Sequence, residues 1–121
     1  MRYSEETLRY FESAAAAGEL NGPGTFRGAA GARSQGTWVQ FDLRVDSGLI
    51  REARFLAFAC PHTIAACAWV AERAPGREVV GGLPESVAEL SRRFGVPVEK
   101  RGRLLLLEDA WIDAVTKAAP R

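Results

Sequence analysis

Two cysteines, Cys60 and Cys67, are the side chains of this sequence soft enough to ligate iron or zinc strongly or to act as a thiolate. Six residues separate them, so they do not form a CxxC, and the pair fits neither a disulfide framework nor a complete zinc site. Each is therefore read by itself. Cys60 immediately precedes Pro61, and proline suits the first position of a helix, where its missing N–H costs no hydrogen bond. This puts Cys60 at a helix N-terminus, where the positive end of the dipole favours a thiolate. Cys67 shares a helical face with Ile64, Ala68 and Ala71 and reads as a small core hydrophobe. His62 is the single histidine; imidazole suits iron and zinc, so it is a weaker candidate ligand, and otherwise a histidine in a first helical turn is expected to be solvated. Glu108 and Asp109 fall in a later helix, with Asp109 the other weak candidate and surface solvation the plainer expectation for both. No histidine is placed as a base for Cys60, and no carboxylate pair or phosphate loop stands out, so an enzyme is not expected.

The elements that must position these groups follow from periodicity. Ser4 caps a first helix whose opening turn holds Glu5 and Glu6; Leu8, Phe11 and Ala15 carry it at helical spacing to about Ala17. Four glycines and a proline between Asn21 and Gly31 predict a loop, with at most a weak strand over Thr25 to Ala30. Thr37, Val39, Phe41, Leu43 and Val45 alternate with Trp38, Gln40, Asp42 and Arg44, the pattern of a half-buried strand. Asp46-Ser47-Gly48 then leads to a second apolar run from Leu49 to Ala59, and so short a turn joins antiparallel neighbours. Helices are expected from Pro61 to about Arg73, over Glu85 to Arg93 with Val87 and Leu90 inward, and through Leu104, Leu107, Trp111 and Val115 to about Lys117. A small antiparallel sheet with helices packed on one face is an α+β layout. Trp38 points away from Val39 and Phe41, either to a free interface or to a covered second core. The run Leu104 to Leu107 wraps a helical turn in apolar surface. Both features point toward a homodimer.

Length and charge narrow the classes further. At 121 residues and 47% hydrophobic content, the chain is expected to form one domain over residues 1–121, large enough for a core without staples. Sixteen basic residues against fifteen acidic ones leave +1, with no basic run interleaved with aromatics, which argues against nucleic acid as a partner. No apolar stretch reaches membrane-spanning length, and MRYSEETLRYF has no signal-peptide core, so neither membrane nor export is expected and the location is read as cytoplasmic.

Several short motifs stand in a telling order: Tyr3-Ser4 opening a helix, the turn GARSQG before a long strand, then ARFLAFACPHTIA, AERAPGR and LLEDAW. In this succession the chain resembles the iron-sulfur cluster assembly scaffolds of the NifU N-terminal domain and IscU type over about nine-tenths of its length. The resemblance implies a three-stranded sheet with helices packed on it, in the SufE/NifU-like manner. It also implies a site at one end of the sheet where three cysteines, an aspartate and a histidine hold a nascent cluster or zinc. Carried over by position, the first cysteine is Gln35, the aspartate Thr37, the histidine Gly102 and the third cysteine Arg103; Cys60 alone remains. The histidine of the first helix is Tyr10, its exit-loop proline and asparagine are Ala14 and Ala16, and the chaperone-recognition stretch is Val96-Pro97-Val98-Glu99-Lys100.

A cluster iron or zinc takes four donors, and one cysteine does not supply them. Arg33 and Arg103 would repel a metal cation and favour a thiolate at Cys60. Iron, zinc or an iron-sulfur cluster is thus implied by the family without the ligands to hold it here. Cys60 is left as a residual thiol that accepts a persulfide or bridges a metal across an oligomer, or as an inert inherited cysteine. The expected function is cluster assembly through binding, with a cysteine desulfurase or a fully liganded scaffold as partner. The alternative is a regulatory or protein-interaction module that has left cluster chemistry.

Overall fold

The computed structural model describes residues 3–13 and 16–119. Helix α1 (Glu5–Ser13) is followed by strands β1 (Thr25–Ala32), β2 (Thr37–Asp46) and β3 (Leu49–Phe58). Helix α2 (Pro61–Arg73), the short α3 (Val87–Arg93) and α4 (Gly102–Ala118) complete the order. The strands form one antiparallel sheet, β1-β2-β3, so the architecture is the expected α+β one.

The β2–β3 hairpin closes with a two-residue turn at Ser47 and Gly48, whose φ values are 54° and 76°. Two successive positive φ angles match the twist of the flanking strands, and glycine at the second takes its angle without a Cβ penalty. Val39, Phe41 and Leu43 on one face of β2 are fully buried, and each contributes roughly 1.5–3 kcal/mol by leaving water. Phe41 meets Trp111 of α4 edge-on, with ring centroids 5.3 Å apart.

β1 with its GAAGA stretch, expected as loop with at most a weak strand, is a full strand, Thr25–Ala32 pairing residue by residue with Thr37–Arg44. The physical reason is close approach: a Cβ at Gly28 would stand 2.1 Å from the Ala114 nitrogen and 2.5 Å from the Ala110 carbonyl oxygen. Here α4 lies directly on the backbone of β1, which a larger residue would forbid.

The first helix is shorter than the sequence suggests. Instead of remaining helical to Ala17, the chain lays Ala16–Gly18 along β3: the Phe55 N–H donates to the Ala16 carbonyl at 3.0 Å and the Gly18 N–H to the Phe55 carbonyl at 2.9 Å. The intervening residues 14–15, and with them Ala14, lie outside the described residues. A strand edge offering unpaired groups has overridden the alanine-rich helical pattern. Beyond it, the Leu20 N–H donates to Asp42 Oδ2 at 2.8 Å, which ties this segment to the face of β2 opposite the core. The third helix starts at Val87 rather than Glu85, because the Ser86 side chain caps it by accepting from the Glu89 N–H.

Candidate functional site

The sheet brings the chemically suggestive positions to one end. β1 leaves through a 3-10 turn, Arg33–Gln35, and Gly36 returns the chain to Thr37 at the start of β2. β3 ends at Phe58, next to Cys60, and Gly102 and Arg103 open α4. Gln35 and Gly102 are exposed, Thr37 is buried and Arg103 half-buried.

Cys60 is the N-cap residue of α2: its backbone is extended while its carbonyl accepts the first helical bond from Ile64 N–H at 3.1 Å. The thiol is half-buried, with Sγ 3.5 Å from Thr63 Oγ1. Burial pushes the thiol up, but hydrogen bonds from the Thr63 hydroxyl and amide and from the Arg103 side chain outweigh it, and the net direction is downward from the ordinary value. Cys60 is therefore biased toward thiolate by a hydroxyl, an amide and a cation. Thr63 was not singled out from sequence. The signal was present, because a residue three beyond the N-cap is the one whose side chain and amide return to it.

His62 is not solvated as its helical position suggested. It is 2% exposed, and the Tyr3 ring stands edge-on to it with centroids 4.6 Å apart. Burial, Lys100 and Arg103 all lower its pKa, so the imidazole is held neutral, and its Nδ1 has no hydrogen-bond partner among the described residues. Asp109 lies exposed on α4, six residues past Arg103 and so about 9 Å further along the axis. Among the described residues, no three His, Cys, Asp or Glu side chains gather closely enough to share a metal ion. Cys67 is fully buried in the core, and burial pushes its thiol far up, out of reach of ionisation.

At the same end of the sheet, Trp38 is half-buried on the face opposite Val39, under the Arg33 guanidinium 4.7 Å from its ring centroid. Its cross-strand neighbour Phe58 is 52% exposed. This end of the molecule thus combines one activated thiol, two arginines and exposed aromatic surface. Its donor set does not fit a four-coordinate metal or cluster: one thiolate and a hydroxyl face a guanidinium, which has no lone pair to give.

A helix-backed three-stranded sheet, with its reactive loops gathered at one end around the cysteine before α2, is the plan of a cluster-assembly scaffold. The chain belongs to the NifU-like N-terminal domain family, whose model matches residues 2–119. It is 32% identical over 121 aligned residues to the bifunctional protein NifU/MnmA of Rubrobacter xylanophilus, covering 91% of this chain and 25% of that protein. The chain thus spans about a quarter of that relative. It is 29% identical to the iron-sulfur cluster assembly scaffold protein IscU of Haemophilus influenzae, covering 91% and 90% of the two chains. A nitrogen-fixing NifU-like protein (N-terminal) from Brucella abortus has the same fold, with a TM-score of 0.73 at 18% identity over 95% of this chain and 92% of its own. No helix among the described residues is long and apolar enough to cross a membrane.

Proposed function

We propose that this chain serves iron-sulfur cluster assembly by binding an assembly partner, a cysteine desulfurase or a fully liganded scaffold, and does not hold a complete cluster by itself. One observation carries this reading: of the positions gathered at the site end, Gln35, Thr37, Cys60, Gly102 and Arg103, only Cys60 bears a soft donor, and the Arg103 side chain bonds it. A guanidinium where the family resemblance expects a third cysteine opposes a metal cation and suits a thiolate. Cys60 is the one soft donor this end offers to iron, while His62 is turned into the fold and Asp109 stands away along α4. Family membership and the likeness to IscU support the pathway; the donor set supports binding over scaffolding. The chain is read as one domain acting without catalysis.

The test is calorimetric titration of the chain with the desulfurase and with the fully liganded scaffold of the same cell. Saturable binding to either, weakened by Phe58→Asp beside Cys60, is the expected result. Binding to neither would favour the alternative, an interaction module outside cluster chemistry, for which the exposed Phe58 and the arginine-capped Trp38 are the supporting observations.

A further inference from the structure

Strand β1 ends the sheet on one side, so among the described residues one of its long edges has no strand beside it. In an antiparallel pair, residues alternate between those that turn N–H and C=O toward the neighbour and those that turn both away. Arg27 and Ala29 belong to the outward set, and their groups are nonetheless occupied. The Ala29 N–H donates to Asp113 Oδ2 at 3.1 Å, and the Lys117 ammonium donates to the Arg27 carbonyl at 3.0 Å. Asp113 and Lys117 are paired with each other at 3.2 Å, one turn apart on α4. A parallel strand residue lying beside Gly28 would offer one C=O to the Ala29 N–H and one N–H to the Arg27 carbonyl. The ion pair supplies the same acceptor and donor at the same two places. The Ala29 amide, and after it Lys117, hold the Asp113 carboxyl below the usual carboxylate range against the upward push of its burial.

Other edge defences are missing. Strand β1 reads TFRGAAGA, without lysine or proline, and its one charge, Arg27, is turned onto Asp42. Two copies of β1 paired antiparallel about Ala30 would set only glycine and alanine side chains against each other along GAAGA, with the Ala29 N–H turned to Gly31 of the second copy, so sterics do not oppose the pairing.

We propose that Asp113 and Lys117 form an edge cap, a side-chain surrogate for a neighbouring strand, which keeps β1 from pairing with β1 of a second copy of this chain. The docking of α4 on Gly28 sets the cap in register, because the Ala110 and Ala114 backbone touches β1 at the residue between the two capped groups.

The double variant D113A/K117A tests this by sedimentation velocity and amide exchange at low and high protein concentration, with circular dichroism as the check on folding. The expected result is a folded variant that dimerises as concentration rises, with Ala29 amide exchange slowing roughly tenfold between the two concentrations. Adding Ala29→Pro, which removes the outward N–H, should return it to monomer. Should the double variant fail to fold, D113L/K117M, which keeps the side-chain bulk without an acceptor or a donor, is read in the same way. A folded variant that stays monomeric, a dimer whose Ala29 amide exchanges as in the monomer, or a natural chain that already pairs through β1 would each overturn the proposal.

Discussion

Asp42 and Cys60 are both acidic groups beside the sheet, and their surroundings are opposite in kind. Asp42 is 1% exposed, yet each carboxylate oxygen is occupied: Arg27 bonds it through two nitrogens at 2.8 Å each, the Leu20 N–H reaches Oδ2 and the Gln40 amide reaches Oδ1 at 3.3 Å. Glu19 extends the cluster by pairing with Arg27 at 3.1 Å and accepting from Gln40. At the other site the thiol is half-buried and loosely bonded to Thr63, Arg103 leans on it, and His62 Nδ1 nearby is buried with no partner among the described residues. A satisfied buried network fixes the chain in place, whereas polar groups left underbonded around an ionisable thiol are the mark of a surface kept for something else.

That contrast is broken first by substitution at its rigid pole. Asp42→Ala removes the acceptor for Leu20, Arg27 and Gln40 together and is expected to cost about 2–3 kcal/mol, seen as a lower denaturant midpoint. Equal stability of the variant would mean that the cluster is ornamental and the contrast empty. The two cysteines give the next largest difference. Cys67→Ser buries an unpartnered hydroxyl in the core and should cost about 2 kcal/mol, while Cys60→Ser should change stability by less than about 0.5 kcal/mol. Similar losses at both positions would make Cys60 a packing residue.

Reactivity sharpens the comparison further. Because the Cys60 thiol is lowered from its ordinary value of 9.0, its alkylation rate should rise with pH to a midpoint below that value, and Cys67 should not react in the folded chain. Arg103→Met removes the cation that favours the thiolate, so the midpoint should move up and the rate at neutral pH fall severalfold, with stability unchanged. An unmoved midpoint would show that Thr63 alone sets the thiol. The smallest effect is expected at Leu105, 52% exposed within the four-leucine run: Leu105→Ser should leave the midpoint of unfolding within about 0.5 kcal/mol, since Leu104 and Leu107 are the members of the run that are fully buried.

The elements with a strict period were legible in the sequence. The β2–β3 hairpin follows from alternation and a two-residue turn, and α2 begins at Pro61 and ends at Arg73 as the proline and the apolar face require. β1 was hidden because GAAGA carries no hydrophobic alternation; its strand is imposed by the approach of α4, which is a tertiary fact. The end of α1 was hidden for a related reason, since Ala16–Gly18 is drawn off the helix by the free edge of β3. At the site, the place of Cys60 before a helix could be read from Pro61 alone. The burial of His62 could not, because Tyr3, which stands against it, is fifty-nine positions away in the chain.

The most direct measurement is the iron and acid-labile sulfide retained after anaerobic reconstitution with iron, sulfide and a desulfurase, followed by desalting, for the chain and for Cys60→Ala. With Cys60 as the single soft donor and Arg103 set against a cation, neither protein should keep a cluster or a metal near one per chain. A cluster retained at one per chain or per dimer by the natural sequence, and lost in Cys60→Ala, would contradict this and make the chain a working scaffold whose remaining ligands come from outside the set at the site end.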